Sequence, residues 1–205
     1  MIKEILTKSF NIPQVYEEFE FIQSEFHSIV LNQNLDGYLL FLEYYDVYTV
    51  GRFAKSKDTV DLSPIKSSRG GDITFHGKGQ EIIYPIINIK KIGISLRDYI
   101  DILHNFLIKF LLSKNILSQR NNKGPGLWVK DNKICFVGIA VKNGVTLHGV
   151  SVNIKCDLEK FNCISPCGDP TIKVGNLFSL RDINKESLRK EMAFFFNEEL
   201  NSYKT

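Results

Sequence analysis

Gly126 to Asn153 reads GLWVKDNKICFVGIAVKNGVTLHGVSVN, and how this stretch folds decides the architecture. Its first half, Gly126 to Val141, is apolar and β-branched on either side of Asp131-Asn132, a pair suited to turns, so it reads as a hairpin with Lys133 entering the second strand. Val145 to Ile154 is a further strand and carries His148 followed by Gly149. Outward from there, Ile82 to Ile89 is β-rich, and Gly37 to Val50, GYLLFLEYYDVYTV, reads as strand with a turn near Tyr45 and Asp46. Helical periodicity flanks these strands. Between Ser95 and Leu117, residues Leu96, Tyr99, Ile100, Leu103, Phe106, Leu107 and Phe110 recur at steps of three and four and share one face. Ser95 with Asp98 has the spacing of a capping box. Tyr16 to Asn32 is a second helix. Asn184 to Tyr203 is a third, with Leu188, Met192, Phe195 or Phe196, and Leu200 inward. Helices mixed with hairpin-like strands give an α+β fold, a mixed sheet with flanking helices, rather than a doubly wound parallel sheet.

Composition bounds the function. The 205 residues are 43% hydrophobic and 24% charged, enough to bury a core, and no linker or repeat divides them, so residues 1–205 read as a single domain. Twenty-six Lys and Arg against 23 Asp and Glu leave +3, too small an excess to argue for nucleic-acid binding. Four cysteines are too few for a disulfide scaffold. The first residues lack a secretory cleavage pattern and carry Glu4, Glu17, Glu18 and Glu20, unlike an acidic-poor transit peptide. No apolar run approaches the ~18 residues of a membrane span. These features predict a soluble, cytoplasmic protein.

Two segments hold candidate chemistry. Ser68 to Pro85, SRGGDITFHGKGQEIIYP, sets Gly70, Gly71, Gly77 and Gly79 around a short alternating run, Asp72 to His76. Glycine corners on both sides of a strand can frame a binding slot, with Arg69 and His76 at its ends; an ordinary hairpin is the plainer reading. The segment is neither a P-loop, since Gly77-Lys78 is followed by Gly79 and Gln80, nor a dinucleotide fingerprint. Further on, Cys167 stands between Pro166 and Gly168, a rigid and a permissive neighbour that can hold a side chain at an exposed corner. A nearby cation such as a lysine turns a thiol into a nucleophile, although most lone cysteines are buried and most strand lysines solvated. Cys156, Cys163, Cys167 and His148 match no zinc spacing, so no metal site is expected. Cys135, Cys156 and Cys163 read as packing residues, and His27 and His104 as helical residues without a chemical role.

Together these segments carry a resemblance. RGGDITFHGKGQEIIYPI, GLWVKDNKICFVGIAV, VTLHGVSVNI and SPCG, in that order over roughly Gly37 to Leu180, resemble the octanoyltransferases of lipoate biosynthesis, the lipoate-protein ligase B type. LEYYDVYTVGR, Leu42 to Arg52, adds to it. Lys78 stands where the family has a proline in HGPGQ, and Phe75 where a tyrosine is common.

The resemblance implies the catalytic-domain fold of lipoate and biotin protein ligases. It also implies transfer of octanoyl from acyl carrier protein to a specific lysine of lipoyl domains, those of 2-oxoacid dehydrogenases and the glycine cleavage H protein. The family's nucleophile falls on Cys167 and its activating lysine on Lys133. Its acyl-binding segments fall on Arg69, Gly70, Gly71, Asp72, Ile73, Thr74, Phe75 and His76, on Phe136, Val137 and Gly138, and on Gly149, Val150 and Ser151. Because a thioester donor is already activated, no cofactor or metal is required. The Gly168 N–H or a neighbouring amide is expected to hold the oxyanion. Acidic protein partners would dock on lysines such as Lys78, Lys90, Lys91, Lys130 and Lys142. The alternatives are an ATP-dependent lipoate-protein ligase, which needs no cysteine, and a non-catalytic carrier-binding module, which forms no acyl adduct.

Overall fold

Side-chain alternation sorts the apolar residues of this chain into layers on the two faces of one sheet. The computed structural model describes residues 5–54, 63–180, 182 and 184–203. In chain order the elements are β1 (Leu6–Ser9), α1 (Tyr16–Asn32), β2 (Gly37–Leu42), β3 (Val47–Val50), β4 (Ile65–Lys66), β5 (Ile73–His76), β6 (Gln80–Ile87), α2 (Ile89–Ile92), α3 (Leu96–Ser113), β7 (Gln119–Asn121), β8 (Gly124–Val129), β9 (Asn132–Lys142), β10 (Val145–Asn153), β11 (Lys173–Val174) and α4 (Lys185–Ser202). The larger sheet has the order β1-β2-β6-β10-β9-β8-β7, with β11 also paired to β9. It is mixed, because β1 runs parallel to β2 and β11 parallel to β9 while the other pairings are antiparallel. The smaller sheet has the order β4-β3-β5.

Leu39 and Phe41 of β2 join Ile83, Val150, Cys135 and the apolar stripes of α3 and α4 in one core. The alternate residues Leu40 and Leu42 join Ile82, Tyr84 and the Tyr16 and Phe19 side of α1 on the opposite face. Helix α3 begins at Ser95, whose hydroxyl accepts from the Asp98 N–H while the Asp98 carboxylate accepts from the Ser95 N–H. It packs on α4 with Phe106 against Phe196, ring centroids 5.4 Å apart. A buried ion pair, Arg189 Nε to Glu81 Oε1 at 2.7 Å, ties α4 to β6.

The expected mixed sheet with flanking helices is present, with two local differences. Gly37 to Val50 forms two strands as expected, but β2 belongs to the larger sheet and β3 to the smaller. The helix expected from Ser95 to Leu117, α3, stops at Ser113, because Asn115 takes φ 59°, a left-handed conformation that ends a helix and that asparagine tolerates.

Candidate active site

Lys133 stands in β9, where a shift of register decides which way it points. Cys135 pairs with Leu127 but Lys133 with Trp128, so Ile134 is an extra residue, a β-bulge. Ile134 and Cys135 consequently both enter the α3–α4 core. Strict alternation would send Lys133 there with Cys135. The bulge instead turns it toward Phe136, with Nζ 4.9 Å from that ring and 4.6 Å from the Trp128 ring. Lys133 is fully buried, at 0% exposure. Room for its chain comes from Gly126, where a Cβ would lie 2.7 Å from Lys133 Cε and 2.2 Å from the Cys135 carbonyl oxygen.

The nucleophile candidate reaches this lysine because the chain returns beside β9. Beyond Cys135, the last β9 residue paired with β10, strand β11 takes up Asn132 and Lys133. The preceding turn, Pro166–Gly168, thereby comes beside the lysine. Lys133 Nζ donates to Cys167 Sγ at 3.1 Å. Cys167 is exposed and has φ 60°, a left-handed conformation that costs a cysteine more than it does glycine or asparagine. Gly168 also has positive φ, and a Cβ there would stand 2.8 Å from Asp72 Oδ2. The Gly168 N–H does not serve the expected oxyanion role: it donates to the Ser165 carbonyl at 2.8 Å, closing the turn that presents the cysteine.

Cys167 borders a cavity of about 600 Å³ between the two sheets. Arg69, Gly70, Gly71, Asp72, Ile73, Thr74 and His76 form one wall, and Phe136, Val137, Gly138, Gly149, Val150 and Ser151 another. Among the residues expected to bind acyl, Phe75 alone is not on the wall. Its ring packs instead against Tyr48 and Phe161. Sequence reasoning missed Arg52, Phe53, Tyr84, Ile100, Leu96 and Lys123, which also line the cavity. Leu96 and Ile100 carried a signal, since they begin the apolar stripe of α3. None of the five lysines named for docking lines the cavity; Lys91 is paired with Asp36 at 2.7 Å and Lys78 lies over the Tyr45 ring. Cys163, expected to pack, is exposed, whereas Cys135 and Cys156 are buried, and burial pushes both thiols up.

Behind the Arg69 wall lies a buried polar network. The Arg69 guanidinium donates to the Thr49 hydroxyl and carbonyl and to the Gly70 carbonyl. Tyr16 of α1 donates to the Ser67 hydroxyl at 2.8 Å, and Ser68 meets His148 Nε2 at 2.8 Å. His148 has φ 57°, and its N–H donates to Gln23 of α1. Burial first, then the Arg69 charge, pushes His148 down to about 3 and His76 to about 4, so both rings are neutral.

An exposed cysteine held against a buried lysine, beside an apolar cavity on a mixed α+β sheet, describes an enzyme domain suited to handling acyl groups. The chain matches the lipoyl protein ligase A/B catalytic domain over residues 15–196 and belongs to that family. It is 37% identical over 183 residues to an octanoyltransferase from Wigglesworthia glossinidia brevipalpis, covering 87% of this chain and 84% of that one. With an octanoyltransferase from Buchnera aphidicola subsp. Acyrthosiphon pisum it shares 31% over 185 residues, covering 88% and 86%. In fold it is similar to the bi-partite lipoate protein ligase from Thermoplasma acidophilum, with a TM-score of 0.69, 12% identity, and 98% and 85% of the two chains covered.

Proposed function

We propose that this chain is an octanoyltransferase that works through an acyl-cysteine, taking octanoyl from acyl carrier protein and passing it to a lysine of a lipoyl domain. The 3.1 Å contact between Lys133 Nζ and Cys167 Sγ at the cavity wall carries this reading. An ammonium donating to sulfur favours the thiolate, which is the nucleophilic form. The thiolate attacks the donor carbonyl, and the tetrahedral intermediate collapses to the Cys167 octanoyl thioester. The departing carrier thiolate takes a proton from Lys133. The neutral amine left on Lys133 accepts a proton from the lipoyl-domain amine as that amine attacks the thioester. Collapse forms the amide, expels the Cys167 thiolate and restores the ammonium. With the Gly168 N–H committed to Ser165, charge on the tetrahedral oxygen is assigned to the Lys133 ammonium.

The cavity supports the same reading. Each buried methylene is worth about 0.8 kcal/mol, so an eight-carbon chain gains several kcal/mol between these walls. The acceptors are lipoyl domains of 2-oxoacid dehydrogenases and the glycine cleavage H protein. Incubation with octanoyl-carrier protein followed by intact mass measurement tests the scheme. Wild type should gain one octanoyl group that the acceptor domain then removes, and Cys167→Ser should not form the same adduct. ATP-dependent transfer from free octanoate that survives loss of Cys167 would instead make the protein a ligase.

A further inference from the structure

His104 lies on α3, which packs against β8, and its hydrogen bonds leave one arrangement of its protons. Nδ1 lies 2.8 Å from the Ile100 carbonyl, which can only accept, so Nδ1 carries the hydrogen. In the neutral ring Nε2 is then a bare acceptor, and it receives the Gly126 N–H at 3.0 Å. Gly126 is the residue whose missing Cβ leaves space for Lys133 Cε, and its φ of 140° is open chiefly to glycine. The bond from α3 therefore fixes the stretch of β8 that Lys133 must pass to reach Cys167. Arg120 adds a second tie between the same helix and β7, with Nη1 on Asp101 and Nη2 on Asn105.

We propose that His104 is a positioning residue for the transfer reaction: by holding Gly126, it keeps the Lys133 side chain on the Cys167 sulfur. This rests on the Cys167–Lys133 reading above. The ring does not touch the cysteine; apart from Gly126, its one hydrogen bond among the described residues is to the backbone carbonyl of Ile100, on its own helix, so its reach to the sulfur runs through the β8 backbone and Lys133. A protonated ring would carry hydrogens on both nitrogens and could no longer accept from Gly126. Burial favours the neutral ring, and the Arg120 and Lys133 charges act in the same direction, against the Ile100 hydrogen bond and Asp101.

The test reads the sulfur directly. Wild type, His104→Phe, His104→Gln and Lys133→Met are treated with iodoacetamide across pH 6 to 9, and alkylation of Cys167 is followed by peptide mass. Phe keeps the ring volume without the acceptor, and Gln restores an acceptor near Nε2. His104→Phe should slow alkylation near neutral pH by about tenfold, because the Lys133 ammonium is no longer held on the sulfur. His104→Gln should return most of the rate. Adding His104→Phe to Lys133→Met should slow it no further, since both act on one contact. An unchanged alkylation profile in His104→Phe, or losses that multiply in the double variant, would overturn the assignment. If His104→Phe does not fold, His104→Leu, which also removes the acceptor, takes its place, with a slowed rate supporting the proposal and a wild-type rate overturning it. Alkylation needs no octanoyl donor, so failure of the acyl-transfer reading would appear separately, as a wild type that never gains octanoyl.

Discussion

At the scale of single residues, Lys133 reaches Cys167 only because Ile134 is an added residue in β9 and Gly126 lacks a side chain. Gly126→Ala should therefore do two kinds of harm. Its Cβ would meet the Cys135 carbonyl and Lys133 Cε, at a φ that alanine rarely adopts. The expected cost is about 2–4 kcal/mol in urea unfolding, and octanoyl-adduct formation should fall at least tenfold. A smaller stability loss with undisturbed adduct formation would show that Lys133 does not depend on this gap. The sequence motifs brought Lys133 and Cys167 together as candidates, but the face on which Lys133 emerges was not legible, because a bulge reverses alternation without any marker residue. Cys163 misled for a related reason. Composition favours burial for cysteine, yet the chain between β10 and β11 leaves this one exposed.

At the scale of elements, local signals were strong wherever one residue type satisfies the backbone. The Ser95 and Asp98 spacing marked the start of α3, and Asn184 caps α4 by accepting from the Glu186 and Ser187 N–H groups. Ser95→Ala should cost about 1 kcal/mol in chemical denaturation, the usual worth of such a cap. What the pattern did not contain was the assignment of β3 to a second sheet, since β-propensity says nothing about which strand will be the partner. The tie between α4 and β6 was equally hidden, with Arg189 and Glu81 lying 108 residues apart. Burial raises Glu81 to about 7 even though Arg189 opposes it. Arg189→Met should lower stability by about 3–5 kcal/mol at pH 8, where Glu81 must either stay charged and unpaired or take up a proton against the solvent. That loss should shrink as acid neutralises Glu81, a trend that unfolding midpoints at pH 5.5 and 8 would reveal.

For the whole molecule, the polar network between α1, the Arg69 segment and β10 makes stability respond to acid. His76 and His148 stay neutral in the fold down to about 4 and 3, against an ordinary value of 6.5. The unfolded chain therefore binds protons first as pH drops. Their contribution is complete above pH 6.5 and declines below it by up to about 1.4 kcal/mol per pH unit for each ring. Glu81 works in the opposite sense, so the comparison should be made with His76→Gln and His148→Gln, whose melting temperatures should fall less steeply between pH 6.5 and 4.5. The strand order has another outcome, which concerns biogenesis. β6 must find β2 on one side and β10 on the other, pairings far apart in the chain and slow to close. Lys133 and Cys167 are brought together only by pairing of β8, β9 and β11, all made late in synthesis. A nascent or half-folded chain therefore carries the thiol without its lysine, and on the proposed mechanism the sulfur becomes competent only when the architecture around it is finished.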